Sequence, residues 1–120
     1  MEKVIKIGTK EFKMKSSAYT QFKYRDETGK SLIKDLSTLG KQYEEIDISK
    51  EDAIEQFDSL DDFITTALRI AYIMSMEAKS YTGTFEDYLK EIDNYLEDVN
   101  WIGEVVELAI SPLSRNIQTT

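Results

Sequence analysis

The chain has 120 residues, 41% hydrophobic and 32% charged, a mixture that specifies a folded domain and excludes intrinsic disorder. It contains no cysteine and no histidine, which removes disulfides, thiolate nucleophiles, Cys-type zinc sites and the usual general base near neutral pH. The net charge of −8 is unevenly spread: residues 1–42 hold ten Lys/Arg against five Asp/Glu, net +5, and residues 43–120 hold five against eighteen, net −13.

Met1-Glu2-Lys3 leads into alternating residues and not an apolar secretory segment, and no stretch reaches the ~20 apolar residues of a membrane span. Val4-Ile5-Lys6-Ile7 and Glu11-Phe12-Lys13-Met14-Lys15 alternate around Gly8-Thr9-Lys10, predicting a β-hairpin with Ile5, Ile7, Phe12 and Met14 on its apolar face. Lysines on the other face keep an exposed two-stranded edge soluble. An isolated hairpin is marginal, so it must pack on the rest of the chain or add to a neighbour's sheet.

Ser16 or Ser17 caps a first helix running to about Glu27, with Ala18, Tyr19, Phe22 and Tyr24 as its apolar side and Gly29 as its stop. Ser31 caps a two-turn helix carrying Leu32, Ile33, Leu36 and Leu39, ended by Gly40. Residues 41–52 read as an acidic loop, and a short helical turn after Ser49 turns Ala53, Ile54 and Phe57 inward. The strongest segment follows. Ser59 and Asp62 form a capping-box pattern, and Leu60, Phe63, Ile64, Ala67, Leu68, Ala71, Tyr72 and Met74 recur at helical spacing. Ile70 and Ile73 widen that stripe, which marks a central helix from about Leu60 to Lys79, with Gly83 closing the region.

Thr84 and Asp87 repeat the capping pattern before a face of Phe85, Tyr88, Leu89, Ile92 and Leu96. Asp98 or Asn100 caps a last helix with Trp101, Ile102, Val105, Val106, Ala109 and Ile110 apolar, stopped by Pro112. The expected fold is mainly α: one domain, 1–120, with a β-hairpin over 1–15, a body of about five helices over 16–111 and a loose tail over 112–120.

Three constellations carry chemistry only on paper. Ser31-Leu32-Ile33-Lys34 matches the S-x-x-K string of serine acyl-enzymes, but the S-D-N and K-T-G partners are absent and a cap explains the serine. Asp93 to Glu104 has calcium-loop length but places Tyr95 at position three and Asp98 where a glycine is needed, and Asp47 to Asp58 fails likewise. The basic, aromatic opening around Tyr19, Phe22, Lys23, Tyr24 and Arg25 suggests a nucleic-acid face, against the acidic field of the whole chain. The expectation is therefore a non-enzyme with no catalytic residue, no cofactor, no metal and neither nucleic acid nor membrane as partner. The broad stripe of the last helix makes Trp101, Ile102, Val105 and Val106 the candidate protein-binding residues, and the polarised charge with a free hairpin edge points to self-association.

The assembled order is a short hairpin, then "SAYTQFKYRDETGKSLIKDL", an acidic spacer, "LRIAYIMSMEAKS", "TFEDYLKEID" and "WIGEVVELAISPLSRNIQ". It resembles the tail assembly chaperones of long-tailed, siphovirus-type phages and prophages of Gram-positive bacteria. The likeness covers nearly the whole chain and is carried by Phe22 to Leu36 with Tyr24 and Gly29, by Leu68 to Ala78 and by Trp101 to Arg115. The resemblance implies a non-enzymatic protein of the bacterial host cytoplasm, absent from the mature virion. Such a protein binds the tape measure protein, keeps that long helical chain soluble and helps recruit tail tube protein. It also implies multimers and, in many such phages, a longer form made by ribosomal frameshifting. The rival readings are a structural phage component, such as a head–tail connector or tail completion protein, and a small nucleic-acid-binding regulator.

Overall fold

The computed structural model describes residues 1–45 and 61–113. Two strands, β1 (Glu2–Ile7) and β2 (Lys10–Lys15), are followed by α1 (Ala18–Thr28), α2 (Leu32–Glu45), α3 (Asp61–Glu77), α4 (Phe85–Lys90) and α5 (Asn100–Ile110). The fold is mainly α with an N-terminal antiparallel hairpin, as the periodicity predicts.

The strands pair with Ile5 opposite Phe12 and Ile7 opposite Lys10. The two-residue turn has Gly8 at φ 63°, the positive first position of a type II′ hairpin turn, whose twist matches the strands. Gly8 also abuts the backbone of a distant loop: a Cβ there would lie 1.6 Å from the Asp93 carbonyl oxygen. Period-2 alternation puts Ile5, Ile7, Phe12 and Met14 on one face, and all four are buried.

That face lies on α3 and α5: α3 packs against β2 and each of the other described helices, and α5 packs against β1, α2 and α3. Residues 70–75 of α3 are buried without a break. Six consecutive positions go more than once around a helix, so this stretch of α3 is enclosed on every side. Its end is a Schellman motif. Lys79 sits at φ 61°, the Ser80 N–H reaches the Ser75 carbonyl at 3.0 Å and the Lys79 N–H reaches that of Met76 at 2.9 Å. The stop is therefore Lys79, where the spacing ends the helix, and Gly83 lies beyond it.

Other boundaries also differ from expectation. Helix α2 runs through Gly40 to Glu45 because Gly40 does not enter the left-handed region, and contacts of α2 with α3 and α5 offset a helical glycine's cost of about 0.5–1 kcal/mol. Helix α4 is only six residues long and ends at Lys90 with Glu91 as its C-cap, so Ile92, still buried, and Leu96 lie beyond it, on either side of Asn94 at φ 57°. Thr84 caps α4 by accepting the Asp87 N–H at 3.1 Å. The turn after Ser49 and the Ser59 cap lie outside the described residues, as does the tail beyond Leu113.

Helix α1 is rotated relative to the sequence expectation. Ser17, not Ser16, is the cap: its hydroxyl accepts the Tyr19 N–H at 3.2 Å, and its own N–H donates to the Thr20 hydroxyl at 2.9 Å. The buried positions are Thr20 and Tyr24, while Tyr19 and Phe22 are exposed. The cause is Glu77, at the end of α3, whose two carboxylate oxygens accept the hydroxyls of Ser17 and Thr20, each at 2.6 Å. A hydroxyl is buried without penalty when it has such a partner. The carboxylate also complements the positive start of α1. Ser16 turns inward and donates to the Leu108 carbonyl at 2.7 Å, tying the hairpin to α5.

Candidate functional site

The four residues that the sequence marks for protein binding do not form an exposed stripe. Trp101, Ile102 and Val105 are buried, and Val106 is half-buried against the same core. The Trp101 indole N–H donates to the Tyr95 carbonyl at 2.7 Å. The paired pattern 101/102, 105/106 and 109/110 is broad for another reason: α5 is covered on different sides by β1, α2 and α3. Three neighbours need a wide apolar surface, and a sequence does not say whether those neighbours belong to its own chain.

The apolar side chains left in solvent lie elsewhere. On α1, Tyr19 is 57% and Phe22 65% exposed; spaced i and i+3, they share one helix face. Beside them Lys23 pairs with Glu27 at 3.0 Å. On α2, Ile33 is exposed and borders a groove of about 200 Å³ with Leu36, Ser37, Ile110 and Leu113. A larger open groove of about 340 Å³ runs between the start of β1 and α5, lined by Met1, Glu2, Lys3, Glu104, Glu107, Leu108 and Ser111. An ion pair between Lys3 and Glu104 at 3.0 Å crosses it. Tyr19 and Phe22 stand in the sequence as apolar, and the signal that they face outward is the bonding of half-buried Ser17 and buried Thr20 to Glu77, legible only with Glu77 in view.

The buried ionisable groups serve packing. Phe12, Tyr72, Tyr81, Phe85 and Tyr88 form an aromatic cluster with centroid separations from 4.6 to 6.2 Å, and the Arg69 guanidinium lies 4.0 Å over the Phe85 ring. Burial pushes the Tyr88 phenol well above its ordinary range, and it shares a hydrogen bond with the Ser75 hydroxyl at 3.0 Å. Tyr24 is raised likewise, by burial first and then by its hydrogen bond to the Asp35 carboxylate. On the surface, Lys10 donates to Glu91 at 2.8 Å, and that bond holds the Glu91 carboxyl below its usual range.

The Ser31 hydroxyl accepts the Lys34 N–H at 3.3 Å, which is the capping geometry, and the Lys34 side chain is exposed, whereas S-x-x-K chemistry needs a desolvated lysine. Of the two twelve-residue acidic segments, Asp93 to Glu104 runs through irregular backbone into α5 and Asp47 to Asp58 lies outside the described residues. Among the described residues no three or more acidic side chains are placed to share a metal ion, and no helix is long and apolar enough to cross a membrane. No protein-family model matches this chain, and searches of curated proteins and of solved structures returned no match.

Proposed function

We propose that this chain is a non-enzymatic tail assembly chaperone of a long-tailed phage or prophage, acting in the host cytoplasm on the tape measure protein. The observation that carries the reading is the ordered run of apolar and turn residues along the chain: Phe22 to Leu36, Leu68 to Ala78 and Trp101 to Arg115. The fold is compatible with it, since a hairpin followed by short helices is the element order in which those stretches occur. The first of them supplies Phe22, which with Tyr19 is the most exposed aromatic pair among the described residues.

A chaperone of helices needs apolar anchors in solvent and enough charge to keep the complex soluble. Tyr19 and Phe22 meet the first need, and the net charge of −8 meets the second. The apolar face of a tape measure helix would lie against α1, with aromatic side chains as anchors. The core position of Trp101, Ile102 and Val105 makes them supports of the fold, so the docking residues are Tyr19 and Phe22.

The test is co-expression with the tape measure protein encoded beside this gene. The expected result is a raised soluble yield and a co-purifying complex, reduced at least tenfold in affinity by Tyr19→Asp with Phe22→Asp in a variant whose circular dichroism is unchanged. Full solubilisation by that folded variant would move the site elsewhere. Failure of the wild type to bind, together with its recovery in purified particles by mass spectrometry, would replace the chaperone by a structural virion component. A gel shift at physiological ionic strength checks the nucleic-acid alternative.

A further inference from the structure

Among the described residues the hairpin has one covered edge and one open edge. Met1 and Ser16 exchange both backbone hydrogen bonds, at 2.9 and 3.1 Å. Bonded pairs alternate along an antiparallel ladder, so 3/14, 5/12 and 7/10 are also bonded pairs in the observed register. The N–H and C=O groups of Glu2, Val4 and Lys6 on β1, and of Glu11, Lys13 and Lys15 on β2, therefore point away from the partner strand. On β2 the Lys13 carbonyl accepts the Ser80 hydroxyl at 2.6 Å, so the loop after α3 covers that edge. On β1 the backbone groups of Glu2, Val4 and Lys6 have no partner among the described residues, and the Val4 side chain is 55% exposed.

We propose that the β1 edge is a homodimer interface in which β1 of a second copy pairs antiparallel, centred on Val4, to make a four-stranded sheet. In that register Glu2, Val4 and Lys6 are self-complementary, and Lys3 faces Ile5 of the second copy on the other face of the sheet. Val4 faces its own copy, and each Glu2 stands opposite Lys6 of the second copy. The outward backbone groups of residues 2, 4 and 6 meet one another as bonded pairs. Opposite charges directly across a ladder favour a register and like charges oppose it. A two-fold operation repeats each contact, and the closed pair leaves no open β1 edge for further growth. The side chains of residues 2, 4 and 6 lie on the face opposite buried Ile5 and Ile7, so pairing leaves each core intact. Glu2 already approaches Lys13 of its own hairpin at 3.4 Å, with both groups in solvent. The register adds Lys6 of the second copy to the same carboxylate.

The inference does not depend on the chaperone reading and is tested without a tape measure protein. Sedimentation of the full chain over rising concentration is expected to show a monomer–dimer equilibrium. Glu2→Lys alone and Lys6→Glu alone are each expected to weaken dimerisation at least fivefold, because each places like charges opposite one another twice. An equimolar mixture of the two variants restores both opposite-charge pairs and is expected to recover wild-type dimerisation. Amide exchange supplies the backbone readout: protection at Glu2, Val4 and Lys6 should rise with concentration, and that at Glu11 should not. A strict monomer at millimolar concentration overturns the proposal. So does dimerisation that the single variants leave unchanged, or a mixture that fails to recover.

Discussion

Single residues hold this fold where two segments distant in sequence touch. Gly8 serves a turn and a contact together: its φ of 63° disfavours any side chain, and the Asp93 carbonyl oxygen occupies the space a Cβ would need. Gly8→Ala is expected to cost about 2–5 kcal/mol, combining left-handed strain with overpacking. Gly29, at φ 73° with nothing within 4 Å, is the control, and Gly29→Ala should lose only ~1 kcal/mol or a little more. Urea denaturation of both variants checks the ordering, which equal losses would refute. Lys79 is the opposite case, a side chain held left-handed at φ 61° in a helix-terminating motif. Lys79→Gly should raise stability by about 1 kcal/mol, and a lowered melting temperature would contradict the strain argument.

At the scale of elements, α3 is the axis of the molecule. Leu68→Ala is expected to cost about 2–5 kcal/mol, and Ala71→Asp, at a fully buried position, should prevent folding by leaving a charge unpaired. Thermal melts of both that overlay the wild type would remove α3 from the core. Ser31→Ala tests a cap instead: the loss should be ~1 kcal/mol, and labelling of Ser31 by a hydrolase-directed probe would restore a catalytic reading. Helix α1 shows how an element can be recognised and its orientation missed. Its cap and its Gly29 stop are local and legible. Its inward face is set by Glu77, more than fifty positions away, which accepts the hydroxyls of Ser17 and Thr20 and makes Thr20 a better resident of the interior than Tyr19 or Phe22.

At the scale of the whole molecule, burial of phenols sets the response to pH. Tyr24 and Tyr88 are both raised above their ordinary range, chiefly by burial. A folded pKa above the unfolded one means that the unfolded chain releases its proton first. Stability is therefore fully present below about pH 10, the unfolded value, and declines as pH rises beyond it toward the folded values. Melting curves from pH 8 to 11 should show this decline, and Tyr24→Phe or Tyr88→Phe should flatten it. A wild-type melting temperature unchanged up to pH 11 would contradict the assignment. The phage chaperone reading and the β1 dimer belong to this scale too, one using the outward face of α1 and the other the hairpin edge.

The sequence by itself determined the order and type of the described elements, the inward residues of the hairpin, the caps at Ser31 and Thr84 and the central stripe of α3. These follow from periods of two and 3.6 residues and from hydrogen bonds closed within a few positions, so local chemistry suffices to specify them. Only the tertiary structure decided which way α1 turns, that α2 continues through Gly40, that α4 ends before Ile92 and that Trp101, Ile102 and Val105 of α5 are buried within this chain. It also distinguished the two hairpin edges, since Ser80 covers Lys13 and no described residue covers Val4. Each of those outcomes depends on a contact between residues far apart in the chain. An apolar stripe or an unpaired strand edge reads the same in sequence whichever surface, its own or another's, comes to meet it.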